Sequence, residues 1–286
     1  MKVKAHAKIN LGLNVVRKRE DGYHELEMVM MPIALHDLIY VTVIETGIEI
    51  TSNSAIMPTD ERNIMYKAAK LMMDTYNIEQ GIKIHIYKHI PIQAGLAGGS
   101  SDGAAVMRAI NELFHLNKTN DELALLGKQI GADVPFCIYE QPAFVSGIGE
   151  KLEFLNTSPD CFILLVKPRR GVSTKRSFGM LKLDHEIHPD CTTLRVKVEE
   201  NDYQGIVENV GNTLEGVSMK LVPQIQEIKQ KLLDMGFDTA LMSGSGSCVF
   251  GLTKDEELLE NAMNEFRKEK LFAKKTTFYK KIKEYF

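Results

Sequence analysis

The spacing of apolar residues predicts alternating strands and helices through the first half of the chain. Residues 2–16 and 38–51 contain strand-like runs, and residues 81–87 (GIKIHIY) alternate apolar and polar positions as a half-buried strand does. Residues 63–76 and 104–116 repeat apolar residues at helical spacing, which predicts two amphipathic helices. Strands and helices are therefore interspersed along this half.

The second half predicts a further layer of helices and strands. A polar segment at residues 156–160 (NTSPD) precedes a new apolar strand and is a candidate boundary. Beyond it we expect strand, loop, helices, strand, helix and strand, with residues 205–235 helical and Gly236 as the stop. With 286 residues, the chain is long enough for two domains, which we predict at 1–156 and 157–286. The fold class expected is α+β.

Composition narrows the partners and the compartment. The net charge of −3 gives no basic excess for nucleic acid, and the lysines between residues 268 and 283 alternate with Glu and Phe, which favours a solvated face. No apolar run is long enough for a signal peptide or a membrane span. We therefore expect a cytoplasmic protein with neither nucleic acid nor membrane as partner.

Cysteine and histidine spacing argues against a metal site built from protein ligands. The four cysteines include no C-x-x-C pair, so neither a zinc site nor a disulfide framework is expected, and a reducing compartment fits. Residues 185–188 (HEIH) are one residue short of the H-E-x-x-H zinc helix. We predict no metal ligands among the side chains.

A glycine-rich loop at residues 91–105 (PIQAGLAGGSSDGAA) joins a predicted strand to a predicted helix. Gly95, Gly98 and Gly99 permit backbone conformations that a Cβ would obstruct. Ser100, Ser101 and Asp102 are the short polar residues that suit a helix start. Such a start presents unpaired N–H groups and the positive end of the helix dipole, so it can bind a nucleotide phosphate, although a tight turn alone also explains the glycines. The spacing fits neither the Walker A loop nor the dinucleotide fingerprint.

Three other segments carry candidate polar groups. Lys8 and Asn10 lie two residues apart and share a strand face, where the simplest interpretation is an exposed edge. Asp21 and Gly22 predict a hairpin turn. Asp133 follows a predicted helix, which begins with a capping box at residues 119–122, and precedes an apolar run that we interpret as a strand.

The order P-x-x-x-G-L-x-G-G-S-S-x-x-A-A resembles the phosphate loop of the GHMP kinases, the family of galactokinase, homoserine kinase and mevalonate kinase. Other segments resemble the same family: residues 7–13 (AKINLGL), 21–24 (DGYH), 131–139 (GADVPFCIY), 171–178 (GVSTKRSF) and 241–252 (LMSGSGSCVFGL). The first two of these segments resemble the branch that acts on 4-diphosphocytidyl-2-C-methyl-D-erythritol in the non-mevalonate isoprenoid pathway.

This resemblance implies a fold and a reaction. The fold is the two-domain GHMP kinase fold, with an N-terminal ribosomal-protein-S5-like α/β domain and a C-terminal ferredoxin-like α+β domain. The reaction is ATP-dependent phosphorylation of the 2-hydroxyl of that cytidine diphosphate sugar-alcohol, with ATP and Mg²⁺ as cofactors. The chain would work as a monomer or a homodimer.

The resemblance also assigns roles to residues. The catalytic pair would be Lys8 and Asp133, with Asp133 as the base. The nucleotide-binding set, with Asn63 near the adenine, would be Asn63, Pro91, Ile92, Gln93, Ala94, Gly95, Leu96, Ala97, Gly98, Gly99, Ser100 and Ser101. The substrate-binding set, with Phe178 stacked on the cytosine, would be Asn10, Tyr23, His24, Thr174 and Phe178.

Three departures from the family pattern keep alternatives open. Gly103 stands where Ala is usual, Ile148 where Arg is usual, and Ser247-Cys248 where Pro-Thr is usual. A GHMP kinase for another small alcohol is one alternative, and a nucleotide-binding regulatory relative without catalysis is the other. A kinase for another small alcohol would not account for the D-G-Y-H segment and Phe178, because its substrates carry no nucleobase that could stack on an aromatic ring.

Overall fold

The computed structural model describes residues 1–280, so Lys281 and Lys283 of the lysine-rich segment lie outside the described residues. Contacts group the chain into two units. Unit 1 comprises Met1–Ala7, Leu35–Ile92 and Ala97–Glu140, and unit 2 comprises Lys8–Ala34, Gln93–Leu96 and the chain from Gln141. The domains expected at 1–156 and 157–286 stay a prediction.

The first two strands contribute residues to both units. They are the long β1 (Lys2–Lys18) and β2 (His24–Ile44), joined by a turn in which Gly22 has a φ of +85°. That turn agrees with the hairpin predicted at Asp21 and Gly22.

Unit 1 adds strands and helices to its parts of β1 and β2. In chain order these are β3 (Ile48–Ser52), α1 (Ile64–Tyr76), β4 (Gly81–Tyr87), α2 (Gly98–Leu113), α3 (Asn120–Gly127) and α4 (Val134–Tyr139). β4 pairs antiparallel with β2 and parallel with β3, so that Ile84 lies opposite both Val41 and Ile50. Helices α1 and α2 pack on each other, and each buries its apolar face.

Local sequence explains the ends of the unit 1 helices. The Thr119 hydroxyl accepts from the backbone N–H of Glu122, whose side chain accepts from the Thr119 backbone, so the predicted capping box is confirmed.

The strand predicted after Asp133 is wrong, because Val134–Tyr139 forms α4. Pro135 lies in the first turn of α4, where its missing N–H costs nothing, and six consecutive apolar residues carry no periodicity that separates strand from helix.

The later part of unit 2 contains the remaining elements. In chain order they are β5 (Ala143–Gly147), β6 (Lys151–Phe154), β7 (Phe162–Lys167), α5 (Thr174–Met180), a 3₁₀ turn (Leu183–His185), α6 (Cys191–Glu199), α7 (Tyr203–Asn209), β8 (Gly211–Asn212), α8 (Glu215–Leu221), α9 (Gln224–Asp234), β9 (Thr239–Met242), β10 (Val249–Thr253), α10 (Glu256–Lys268) and β11 (Phe272–Thr276). Within this unit β5 pairs with β2 and β6, and β8 pairs with β1.

A four-stranded antiparallel sheet in unit 2 has the strand order β11-β7-β10-β9. Helices α9 and α10 pack on it and bury Ile228, Leu232 and Phe266. The order of elements, strand, helices, two strands, helix and strand, is the ferredoxin-like arrangement. The α+β fold predicted for this half is therefore confirmed.

Most of the stretch predicted to be helical, residues 205–235, is helical, but the prediction is wrong at Gly211–Asn212, which form β8. Three helices occupy the stretch, because β8 pairs in parallel with Gly12 and Leu13 of β1, and Pro223 ends α8. A proline has no N–H to continue the helix, and it forces Val222 before it out of the helical region. The predicted stop is right: Gly236 follows α9 with a φ of +102°.

Among residues 1–280, none of the helices combines the length and the apolar character needed to cross a bilayer. The four cysteines are buried, and none of them forms a disulfide bond within the described residues.

Candidate active site

The glycine-rich loop reaches α2 through an unusual backbone. Gln93 and Ala97 have φ values of +54°, and Gly95 has a φ of +74°. A positive φ is strained for residues with a Cβ, and such strain is concentrated at functional sites. Ala97 is the N-cap of α2, and it provides no side-chain hydrogen bond to the first turn. The N–H groups that open this 16-residue helix are thus available to an anion.

The second glycine segment, residues 241–252, holds the middle of the loop within unit 2. The Ser243 hydroxyl donates to the Gly95 carbonyl at 3.1 Å, and the Cys248 N–H donates to the Ala94 carbonyl at 3.1 Å. On the opposite side of the loop, the Lys8 N–H donates to the Leu96 carbonyl at 3.2 Å. Consecutive loop carbonyls are therefore fixed by backbone or buried groups.

Lys8 and Asn10 lie side by side on β1, as their spacing predicted. The Lys8 ammonium donates to Asn10 Oδ1 at 2.6 Å. The exposed-edge interpretation is wrong, because Lys8 is 5% exposed and Asn10 is fully buried. The Asn10 N–H donates to the hydroxyl of Ser243, which itself holds Gly95. A buried lysine that is tied to the glycine-rich loop can supply positive charge to an anion bound there.

Asp133 is the half-buried residue immediately before α4. Its φ of −83° and ψ of −10° belong to the helical region, and its side chain does not cap α4. Its role as base stays a prediction.

Asn63 is the N-cap of α1. Its Oδ1 accepts from the Met65 N–H at 2.8 Å, and its amide donates to the Pro58 carbonyl at 2.6 Å. Both ends of the amide therefore serve the fold. Its predicted place near the adenine remains untested.

The predicted cytosine-binding residues include one aromatic contact. The rings of His24, at the start of β2, and Phe178, on α5, have centroids 5.0 Å apart and planes inclined at 36°. Burial, helped by the charge of Lys18, lowers the pKa of His24 below its usual value, so the imidazole is neutral near pH 7. Tyr23 is 61% exposed and makes no ring contact with either of them among the described residues.

Thr174, the first residue of α5, contacts the second glycine segment. Its hydroxyl lies 2.8 Å from the Ser245 hydroxyl. Three residues on, the buried Ser177 hydroxyl lies 3.1 Å from that of Ser218, which donates to the Ser245 carbonyl. Helix α5 is thus anchored to residues 241–252 through hydroxyl groups.

Sequence reasoning missed a buried charged cluster beside the loop. Lys88, directly after β4, contacts both Asp37 of β2 and Asp102 of α2. The available signal was Asp37, a charged residue inside an otherwise apolar strand run. Ser243 was also missed as an individual residue, although its segment was recognised.

The departures from the family pattern have local explanations at two positions. A Cβ at Gly103 would lie 2.6 Å from Ile64 Cγ2, so the isoleucine fills the space that an alanine needs. The Ser247 hydroxyl donates to the Arg170 carbonyl at 2.7 Å, and Cys248 is buried. Nothing in the structure explains Ile148, whose N–H donates to Glu150.

A search of residues 1–280 finds no group of three or more His, Cys, Asp or Glu side chains that could hold a metal ion.

Comparison with known proteins identifies both halves of the chain. Residues 63–141 match the GHMP kinases N terminal domain, and residues 194–271 match the GHMP kinases C terminal domain. The first match contains the phosphate loop and Asp133. The second contains residues 241–252, which hold the loop.

Several relatives, all of which carry one name, match nearly the whole length of this chain. The 4-diphosphocytidyl-2-C-methyl-D-erythritol kinase of Bacillus cytotoxicus is 47% identical over 92% of this chain and 91% of its own length. That of Enterococcus faecalis is 48% identical over 91% of this chain and 93% of its own length. That of Bacillus subtilis is 45% identical over 92% of both chains.

Comparison with solved structures supports the same family and fold. A crystal structure of 4-(cytidine 5'-diphospho)-2C-methyl-D-erythritol kinase matches 98% of this chain and all of its own, with a TM-score of 0.82 and 30% identity. The mevalonate kinase of L. major, at 16% identity over 98% of this chain and 96% of its own, shares the fold with a TM-score of 0.73. The two-domain GHMP fold predicted from the sequence is confirmed. The chain belongs to the 4-diphosphocytidyl-2-C-methyl-D-erythritol kinase family of GHMP kinases.

Proposed function

We propose that this chain transfers the γ-phosphoryl group of ATP to the 2-hydroxyl of 4-diphosphocytidyl-2-C-methyl-D-erythritol, a step in the formation of isoprenoid precursors. The observation that carries the proposal is the start of α2, whose open N–H groups follow a loop with left-handed Gln93, Gly95 and Ala97. Family membership supplies the acceptor.

Phosphoryl transfer needs positioning and charge neutralisation more than covalent chemistry. In the proposed mechanism, residues 91–101 bind the phosphates through backbone N–H groups. Lys8 stabilises negative charge on the transferred group, and the Asn10 amide oxygen orients the lysine ammonium. Mg²⁺, held by phosphate oxygens and water, neutralises further charge.

Asp133 is the proposed base. Its carboxylate would accept the proton of the substrate hydroxyl as the phosphoryl group is transferred.

Substrate selection is assigned to the His24–Phe178 pair, together with Tyr23 and Thr174. A cytosine ring can stack on Phe178 while the neutral imidazole of His24 exchanges hydrogen bonds with the base edge. This aromatic pair disfavours the alternative of a GHMP kinase for mevalonate or an amino-acid alcohol, because those acceptors carry no ring to stack. We expect the enzyme to act in the cytoplasm, as a monomer or a homodimer, without nucleic acid or membrane as partner.

Turnover with the proposed acceptor, compared between the native chain and Asp133→Asn, tests the function. We expect ADP release that depends on Mg-ATP and on the acceptor, and a loss of about 100-fold or more in kcat in the variant. The control is Asp121→Asn, an acidic residue of α3 whose partner is the Tyr139 hydroxyl, and it should retain turnover.

Each outcome is informative. No turnover with nucleotide still bound would favour another acceptor or the regulatory alternative. Equal turnover in the native chain and Asp133→Asn would refute the role of the base. Mevalonate or homoserine in place of the acceptor should give no ADP release.

A further inference from the structure

Lys88 lies between two buried carboxyl groups next to the phosphate loop. Its ammonium donates to Asp37 Oδ2 and, at 2.9 Å, to Asp102 Oδ2. The exposed fractions of the three side chains are 8% for Lys88, 0% for Asp37 and 4% for Asp102. All three residues belong to unit 1. We call Asp37, Lys88 and Asp102 the buried triad.

The triad connects the segments on both sides of the loop. Asp37 Oδ1 accepts from the backbone N–H groups of His89 and, at 2.8 Å, Ile90, the last two residues before Pro91. Asp102 lies near the start of α2, on the far side of the loop. Loss of a contact within the triad would therefore remove the link between the residues that precede the loop and the start of α2 that follows it.

Gly98, the first residue of α2, packs directly against the same lysine. A Cβ built there would lie 3.0 Å from Lys88 Nζ and 2.9 Å from Ile90 Cγ2. The ammonium thus lies against the backbone that opens the proposed phosphate site.

The hydrogen bonds distinguish the two carboxyl groups. Asp37 accepts from three N–H donors, which suits a carboxylate. Asp102 accepts from Lys88 alone, and its Oδ1 is buried without a hydrogen-bond partner among the described residues. One buried ammonium balances one carboxylate, so a second would leave an uncompensated charge.

The electrostatics of the triad agree with this assignment. Burial raises the pKa of Asp102 to about 8, with Lys88 opposing the rise and Asp37 adding to it. Burial disfavours the Lys88 ammonium, but the two carboxyl groups outweigh it and raise the pKa of Lys88 above its usual value.

We propose that the buried triad positions the phosphate loop for ATP, with Asp102 holding a proton. The role rests on the proposed function, since it is defined by the phosphates of the nucleotide. Asp37, Lys88 and Asp102 are positioning residues, because they act through the loop backbone.

The proton on Asp102 matters because the site receives an anion. An ionised Asp102 would place a negative charge beside the start of α2, the proposed binding site of the triphosphate. That charge would repel the phosphates and weaken their attraction to the helix N-terminus. The charged groups facing Asp102 are Lys88 and Asp37, and the neighbouring His89 turns its imidazole to the His36 carbonyl at 3.0 Å. From α1, the neighbour of α2 at Gly103 is the apolar Ile64. ATP affinity should therefore fall as Asp102 ionises.

Calorimetric binding of Mg-ATP without acceptor, from about pH 7 to about pH 9.5, tests the triad. In the native chain we expect Kd to rise about tenfold across this range, following the ionisation of Asp102. Asp102→Asn keeps a neutral side chain of the same shape and should remove this pH dependence. Asp37→Asn and Lys88→Met should raise Kd about tenfold or more throughout, because the loop loses its anchor.

Lys231→Met is the matched control. Lys231 also lies between two carboxylates, Glu265 and Glu269, but it is partly exposed and lies on α9. Its loss should leave Kd and its pH dependence unchanged. Circular dichroism checks that each variant is folded.

The outcomes separate the triad from the proposed function. The role proposed for the triad would be overturned if the Kd for Mg-ATP had the same pH dependence in the native chain and in Asp102→Asn. Native ATP affinity in folded Asp37→Asn or Lys88→Met would overturn it as well. Absence of ATP binding by the native chain would overturn both proposals. The expected binding pattern without turnover on the acceptor would support the triad and overturn the function alone.

Discussion

A Cβ built on Gly95 would lie 2.0 Å from the backbone oxygen of Ser243. The Gly95 carbonyl in turn accepts from the Ser243 hydroxyl at 3.1 Å, so Ser243 lies against Gly95 through both its backbone and its side chain. The φ of +74° at Gly95 adds a second reason for glycine. No side chain can move aside to relieve this contact, since the obstructing atom belongs to the backbone.

Gly95→Ala should therefore abolish measurable ATP binding, because the phosphate loop must shift away from residues 241–252. Gly47→Ala is the matched control: its φ is +81°, but nothing lies within 4 Å of a Cβ there. The control should lose only about 1–2 kcal/mol of stability and bind ATP normally. Calorimetry and thermal unfolding measure the two effects, and equal ATP affinity in both variants would contradict the explanation.

Asn10→Asp should impair catalysis through Lys8. The change places a carboxylate 2.6 Å from the Lys8 ammonium, where the amide oxygen lies now, and draws its positive charge away from the phosphate. We expect kcat to fall about 100-fold while KM for ATP changes much less. Steady-state kinetics of the native chain and the variant measure kcat and KM for ATP separately.

Asn14→Asp, four residues further along β1, provides the comparison. Asn14 contacts His188 and Glu27 rather than a proposed catalytic group. Its variant should keep kcat within about twofold. A fall of the same size in both variants would mean that an added charge on β1, and not the contact with Lys8, is responsible.

Features determined by nearby residues could be predicted from the sequence. The capping box at Thr119 and Glu122 depends on residues three apart, and the stop at Gly236 depends on one backbone conformation. The glycine loop was equally visible, because its glycines and serines are contiguous. In each case the determining interactions are local.

Features determined by distant residues could not be predicted in this way. Lys8 and Asn10 appeared as an exposed edge because Ser243, which contacts Asn10, lies more than 200 residues away. Strand β8 interrupts the helical pattern of residues 205–235 only because it pairs with β1. The buried triad was invisible for the same reason, since Lys88 and Asp37 lie 51 residues apart.

Gly103→Ala should not give the stability that helix propensity alone predicts. Propensity favours alanine by about 1 kcal/mol in a helix interior, but the new Cβ would lie 2.6 Å from Ile64 Cγ2. We expect a net loss of about 1–3 kcal/mol from overpacking between α1 and α2.

A double-mutant cycle with Ile64→Leu tests this cause, because leucine has no Cγ2 branch. In the Ile64→Leu background, Gly103→Ala should cost at least about 1 kcal/mol less than in the native background. Denaturant unfolding gives the four free energies of unfolding. Additive effects would exclude Ile64 as the reason for glycine at this position.

Phe178→Leu should weaken the acceptor and leave ATP unaffected. The ring of Phe178 lies 5.0 Å from that of His24, and stacking of a nucleobase on an aromatic ring contributes about 1–3 kcal/mol. KM for the cytidine-bearing acceptor should therefore rise by about fivefold to 150-fold, with KM for ATP within about twofold of native. Tyr40→Leu removes an aromatic ring from a pair with Tyr87, where the centroids are 6.1 Å apart, and should change neither constant. Equal increases in both KM values for Phe178→Leu would indicate general disruption of the protein and refute a cytosine-stacking role.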